Sequence, residues 1–392
     1  MESTRQKDAR DVGRGSRPKP TSFVGRNGEL SLLESRLQAA ARGEGGLVLI
    51  AGEPGIGKTR LLQEIRDRAR SGGWVVLTGS AYDTEGMPPY LPFLEALRQH
   101  SGALAGTDVL REIAARSSDI PLPSDLDPGS LALLTVPAAG PEAERYRFFE
   151  AVCQAFLAIA STSESRGLLL SVEDLHWADK PSILLLQHLA RKISKARLLL
   201  TATYREAEIG DNHPLSAVLA QLTRDHLQET VKLSTLSADE CVALVEGLAA
   251  SPVHPDVSGT VFTLTEGNPF FIEEVVRELR AEGRDFTDKS LAEADWGIPE
   301  GLRQVIAHGL SRLGAATREM LQTAAVLGEA FPFDLLAEAT GTEQRLLIDC
   351  VEEAEHAGLL RGEADGYAFG HALVRRTIDD DLSLLPLSCQ GP

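Results

Sequence analysis

The chain has 392 residues, 43% of them hydrophobic, and its 57 acidic and 39 basic side chains give a formal charge of −18. That length exceeds one ordinary core and suggests roughly two or three domains with ample apolar material to fill them. The negative balance opposes attraction to a polyanion, so direct DNA binding by this chain alone is not expected.

Residues Met1 to Pro20 are polar, mixed in charge and without an apolar h-region, so they read as a mobile tail (1–20) and not as a secretory signal. With no apolar run approaching the ~20 residues a bilayer requires, no membrane association is expected, and the chain is most simply cytoplasmic. The cysteines Cys153, Cys241, Cys350 and Cys389 lie far apart with no metal-ligand spacing, which predicts reduced thiols.

The first strand pattern, Leu47–Ala51, leads directly into Gly52-Glu53-Pro54-Gly55-Ile56-Gly57-Lys58-Thr59. In the pattern G-x-x-x-x-G-K-[ST], glycines let successive backbone N–H groups turn inward around phosphate. The lysine reaches the β and γ phosphates, and the hydroxyl holds Mg²⁺. Leu61, Leu62, Ile65 and Ala69 then share one helical face, so strand, loop and helix come in the required order. Gly52, Gly55, Ile56, Gly57, Lys58, Thr59 and Arg60 are the candidate phosphate contacts, with ATP and Mg²⁺ as the cofactors implied.

Further strands are predicted at Trp74–Leu77, Leu168–Val172, Leu198–Thr203 and Val231–Leu233, with helical patterns between most of them, including Leu91–His100 and Arg145–Ala160. Such alternation argues for an α/β fold: a parallel sheet covered by helices on both faces. Between Ala81 and Gly167, the prolines Pro88, Pro89, Pro92, Pro121, Pro123, Pro128 and Pro141 predict an irregular connection. The run Leu168-Leu169-Leu170-Ser171-Val172-Glu173-Asp174 supplies the carboxylates that an NTP site needs at a neighbouring strand end. Glu173 falls in the metal slot beside Thr59, and Asp174 in the slot that orients attacking water. This reverses the common Asp-then-Glu order and leaves Asp174 about one methylene short, which predicts slow turnover. Arg205, closing the strand before it, is the candidate γ-phosphate sensor.

After Leu233 apolar residues recur at helical spacing (Cys241, Leu244, Val245, then Ile272, Val275, Val276, Leu279), predicting a helical lid. Gly297 and Pro299 mark a break. Leu302, Val305, Ile306, Leu310 and Leu313 then open a third segment. Helices over Thr317–Leu327 and Glu343–Ala357, a hairpin through Leu360, the Asp365-Gly366 turn and Phe369, and a helix from His371 suggest a winged-helix-like α+β segment. The expected division is 21–236 for the nucleotide-binding domain, 237–299 for the helical lid and 300–392 for the winged-helix-like part.

Phe23-Val24-Gly25-Arg26 with Glu29-Leu30, the phosphate loop, Glu173 through Asp179, Thr203-Tyr204-Arg205 and Thr265 through Phe271 together resemble one group of proteins. They look like the AAA-related, signal-transducing (STAND) P-loop ATPase module of large LuxR-type, MalT-like transcription regulators, also found beside some nucleotide cyclases. The resemblance runs from about Thr21 to about Ser383. It implies adenine contacts from Val24 and Arg26, packing of Pro269 against the base, and a switch driven by ATP and ADP with a protein partner or self-association on activation. A winged-helix histidine touches the nucleotide in related switch ATPases, and His371 resembles it loosely. Full-length regulators continue into a repeat sensor and a helix-turn-helix, whereas this chain stops at Pro392, an expectation of a truncated copy or of output elements on another polypeptide. The alternatives are a fast remodelling ATPase of the origin-recognition-like or AAA+ kind and an ATPase module partnering a nucleotide cyclase.

Overall fold

The computed structural model describes residues 23–84, 86–100, 141–210, 212–294, 296–363 and 365–383. The expected tail over 1–20, the prolines Pro121, Pro123 and Pro128, Cys389 and the segment 384–392 lie outside these described residues. Cys153, Cys241 and Cys350 are buried free thiols.

Helix α1 (Asn27–Ala41) precedes strand β1 (Gly46–Ala51), which feeds through the phosphate loop into α2 (Lys58–Ser71). There follow β2 (Val75–Ser80), α3 (Leu91–Arg98), α4 (Pro141–Ala160), β3 (Leu168–Glu173), α5 (Lys180–Lys192), β4 (Leu198–Tyr204), α6 (Pro214–Arg224) and β5 (Gln228–Lys232). The strands form one five-stranded parallel sheet in the order β2-β3-β4-β1-β5. Their side chains alternate between two cores. Leu47, Leu49, Leu168, Leu170, Leu198 and Leu200 pack under α3 to α6, while Val48, Ile50, Leu169, Leu199 and Val231 pack under α1 and α2. Burial on both faces explains why these strands read as continuous apolar runs.

The two edge strands depart from the sequence reading. Strand β2 runs on to Ser80 because Gly79 lets the start of α3 approach; a Cβ there would meet the Pro92 carbonyl oxygen at 1.8 Å. Strand β5 begins at Gln228, three residues before the first apolar position, and only Val231 in it is buried. An edge strand needs backbone pairing on one side only, so its apolar signal is weak.

Beyond the sheet, α7 (Ala238–Ala249), α8 (Pro255–Thr265) and α9 (Pro269–Ala281) enclose a second core of Cys241, Val245, Val257, Val261, Ile272 and Val276. A reciprocal capping box between Ser237 and Glu240 starts α7. Helix α10 (Glu300–Ser311) leads to α11 (Ala315–Leu327), β6 (Ala330–Phe331), α12 (Phe333–Thr340), α13 (Gln344–His356), β7 (Leu360–Glu363), β8 (Gly366–Phe369) and α14 (Ala372–Ser383). The last three strands form an antiparallel sheet in the order β6-β8-β7, completing a winged-helix arrangement around Leu321, Leu336, Leu347, Val351 and Phe369. Leu302 and Leu373 belong to the helical core, while Ile306, Val374 and Ile378 belong to the winged one, so α10 and α14 each bridge the two.

Candidate nucleotide site

The carboxyl ends of β1, β3 and β4 meet at one edge of the sheet, where open α/β folds place their ligands. Gly55 and Gly57 adopt φ of 76° and 97°, the left-handed region that favours glycine. Gly57 caps α2 without any side-chain hydrogen bond, and a Cβ added to it would meet nothing within 4 Å. The first turn of α2 therefore presents its backbone N–H groups to open space, a ready anion site. Ile56 is buried under the loop and anchors it to the α1 and α2 side of the sheet.

Lys58 is 7% exposed, and its Nζ donates to the carbonyls of Gly52 (2.7 Å) and Glu53 (2.9 Å). Burial, reinforced by Arg205, lowers its ammonium to about 8, against the pull of Asp174, Glu53 and Glu208. Thr59 Oγ1 donates to Glu173 Oε2 at 2.9 Å. The other Glu173 oxygen accepts from Arg66 at 2.6 Å, a buried pair joining α2 to β3. Burial raises the carboxyl of Glu273 on α9, with Arg277 and then Arg60 opposing.

Asp174 follows with φ 58°, its backbone N–H bonded to Thr203 Oγ1 at 2.9 Å. Burial raises its carboxyl, with Arg205 opposing. Arg205 is paired to Glu208 at 2.5 Å and lies over the Trp177 ring, 4.9 Å from its centroid. Thus Lys58, Thr59, Glu173, Asp174 and Arg205 converge at the carboxyl ends of β1, β3 and β4.

The flanking candidates are arranged differently. Arg26, 8% exposed, directs its guanidinium to the carbonyls of Ile56 (3.3 Å) and Ser234, bracing the loop against the exit of β5. Val24 is half-buried against the helical core. Pro269 opens α9 behind the N-cap Asn268, whose Nδ2 donates to the Pro54 carbonyl at 3.2 Å. Phe270 N–H reaches the Gly55 carbonyl at 3.3 Å. The lid thus docks on the phosphate loop itself. His371 lies apart from that loop: Nε2 is 2.9 Å from the Thr265 carbonyl, Nδ1 accepts from Leu373 N–H, and the ring meets Phe271 edge-on at 4.4 Å. Ala372 N–H donates to Glu266 at 3.2 Å.

Arg66, Asn268, Phe270 and Glu208 are site neighbours that the sequence reading did not single out. Arg66 stands seven residues after Thr59, hence on the same helical face, and Glu208 three after Arg205; both spacings carried a signal. A groove of about 410 Å³ on the winged segment, bordered by Phe333, Glu355 and Tyr367, contains none of these groups.

Residues 22–201 match the family model of the AAA ATPase domain. That segment is similar to AAA ATPase domains of the P-loop class. An uncharacterized protein of Rhizobium meliloti (strain 1021) is 27% identical over 376 residues, 91% of this chain and 35% of its own. The chain therefore spans about a third of the length of that relative. A Walker-type ATPase of Pyrococcus abyssi superimposes with a TM-score of 0.59 at 15% identity, covering 93% of this chain and 99% of that one. A STAND protein with a tetratricopeptide repeat sensor from Pyrococcus horikoshii gives a TM-score of 0.38 at 17% identity, covering 93% of this chain and 43% of that one. The first of these similarities shows a common P-loop fold. Among the described residues no helix is long and apolar enough to cross a membrane.

The site fits a nucleotide with its magnesium. Hard oxygen donors from Thr59 and Glu173 stand 2.9 Å apart beside an open helix N-terminus. Mg²⁺ binds through one or two carboxylates together with substrate phosphates, which is the donor set these two residues offer.

Proposed function

We propose that this chain is an ATP-binding, slowly hydrolysing switch, the regulatory ATPase module of a LuxR-type transcription regulator. The observation that carries the reading is the convergence of Lys58, Thr59, Glu173, Asp174 and Arg205 on the uncapped start of α2. The amides of Gly55, Gly57, Lys58 and Thr59 would cradle the phosphates, and Lys58 would exchange its two carbonyl partners for phosphate oxygens. Thr59 and Glu173 would hold Mg²⁺, which when bound neutralises charge on the transferring phosphoryl group. Asp174 would orient the attacking water, and Arg205 would reach the γ-phosphate with its remaining guanidinium donors while its Nη1 stays on Glu208.

Coupling to the rest of the chain is supported by a continuous contact route. The phosphate loop carbonyls of Pro54 and Gly55 hold Asn268 and Phe270, and the turn before them holds His371 and Ala372 at the start of α14. The segment after α9 also approaches the nucleotide-binding domain directly: a Cβ on Gly358 would lie 3.8 Å from the Glu53 carboxylate, and Arg312 pairs with Asp83, beyond the end of β2, at 2.6 Å. Near-complete switching between two arrangements requires nucleotides to discriminate between them by ~5.5 kcal/mol. Val24 and Pro269 would border the adenine, with Arg26 bracing the loop from behind. Self-association or a protein partner would read the exposed arrangement. The winged segment is unsuited to DNA, because Glu338, Glu343, Glu352, Glu353, Glu355, Asp379, Asp380 and Asp381 outnumber the nearby Arg345, Arg361, Arg375 and Arg376. Steady-state hydrolysis tests the reading: turnover well below ~1 s⁻¹ supports a switch, and a rate near ~10 s⁻¹ makes the chain a remodelling motor instead.

A further inference from the structure

His176 sits at the centre of the polar cluster behind Asp174, and the fold leaves it unsatisfied. Its side chain is wholly shielded from solvent, and both ring nitrogens lack a hydrogen-bond partner among the described residues. A buried polar group left in that state costs about 1–3 kcal/mol, and native folds keep few of them. Its surroundings hold it in place. The His176 carbonyl is 3.0 Å from His213 Nε2, and the ring packs 4.6 Å from Trp177, which also lies under Arg205. Burial, with repulsion from Arg205 and Lys58, lowers the imidazole to about 3, so at neutral pH it carries one N–H and no charge.

Two carboxylates face Nε2, Glu208 Oε2 at 3.6 Å and Asp174 Oδ1 at 3.9 Å, both just beyond hydrogen-bond reach. Glu208 already accepts from Arg205. Among the described residues no hydrogen bond holds the carboxylate of Asp174, although its backbone is pinned to Thr203. The carboxylate whose direction matters most for chemistry is therefore the one without a donor.

We propose that His176 is a positioning residue for Asp174, closing the 3.9 Å gap on nucleotide binding so that Nε2–H donates to Oδ1 and turns the second oxygen toward the attacking water. This rests on the assignment of Asp174 as the water-orienting group. It explains why an imidazole is kept buried and unpaired: the group is satisfied in the working state and not in the nucleotide-free one. It also offsets the short reach of Asp174, since a fixed rotamer restores part of the orientation that a longer side chain would supply.

The test compares wild type with His176→Phe and His176→Gln in single-turnover hydrolysis, calorimetric ATP binding and thermal melting. His176→Phe should lower turnover by about tenfold with ATP affinity within about twofold. Its melting temperature should hold or rise by about 2 °C, because two unpaired nitrogens leave the interior. His176→Gln, which keeps a donor, should recover most of the rate. In an Asp174→Asn background, His176→Phe should cause no further loss. Wild-type turnover in His176→Phe overturns the inference. So does a parallel fall of affinity, stability and rate, or an undiminished effect in the Asp174→Asn background. A wild type that hydrolyses no ATP overturns the functional assignment itself and this inference with it.

Discussion

The contact between lid and phosphate loop can be weakened at a single atom. Asn268 does two things: Oδ1 caps α9 by accepting from Phe270 N–H at 3.1 Å, and Nδ2 donates to the Pro54 carbonyl at 3.2 Å. Serine is as good an N-cap as asparagine but is too short to reach Pro54, so Asn268→Ser removes the latch and keeps the helix start. The lost bond is worth about 1 kcal/mol, and the Pro54 carbonyl left without it adds up to about 1 kcal/mol more. The total is roughly 1–2 kcal/mol, or about five- to thirtyfold in the docking equilibrium. Hydrogen exchange reads this at the Phe270 amide, which is shared between the cap oxygen and the Gly55 carbonyl and loses only the latter when the lid undocks. ADP release should quicken by about tenfold, and exchange at Phe270 by a smaller factor because the cap persists. Asn268→Ala, which also loses the cap, should add about 1 kcal/mol of local destabilisation along α9. Unchanged exchange and unchanged ADP release in Asn268→Ser would show that the lid does not grip the loop through this residue, and the contact route to the winged segment would fail at its first link.

Other outcomes follow from the same geometry. Because Lys58 is lowered to about 8 when free and phosphate would restore its charge, ATP affinity should fall as pH rises above about 8, with proton uptake on binding that disappears in Lys58→Met. For the nucleotide-free protein the sign is opposite. A lysine held below its unfolded value of 10.5 destabilises the fold while protonated, so stability should rise between pH about 8 and 10.5 in melts, and not in Lys58→Met. Asp174→Glu should raise turnover by about tenfold by supplying the missing methylene; a slower variant would remove Asp174 from the water-orienting role. Arg205→Ala should bring ATP and ADP affinities together, and a retained preference for ATP would assign γ-phosphate sensing elsewhere.

The sequence made the phosphate loop, the four strands after it and the carboxylate pair legible because each is a local pattern: a glycine spacing, an apolar run, a run ending in acids. Strand ends were legible where both faces are buried, as at Leu168 and Leu198, and not at the edges, where Gln228-Glu229-Thr230 pairs through backbone alone. Helix α1 carries a readable stripe in Leu30, Leu33, Leu37 and Ala40 that the sequence reading passes over. What stayed hidden were pairings between distant positions. Arg66 with Glu173 are 107 residues apart, and Asn268 with Pro54 are 214 apart. No periodicity encodes such contacts, because they depend on how the sheet order brings α2 beside β3 and the lid over the loop. Arg26 shows the same limit, since its bonds to the carbonyls of Ile56 and Ser234 join positions 30 and 208 residues away.

The central claim is that a triphosphate is held at the start of α2 by the loop amides and Lys58. Calorimetric titration of the purified chain with ATP and Mg²⁺, beside Lys58→Ala, tests it most directly. Saturable one-site heat in the wild type and its loss in the variant is the predicted result. No heat in the wild type, or equal binding by the two proteins, would contradict it.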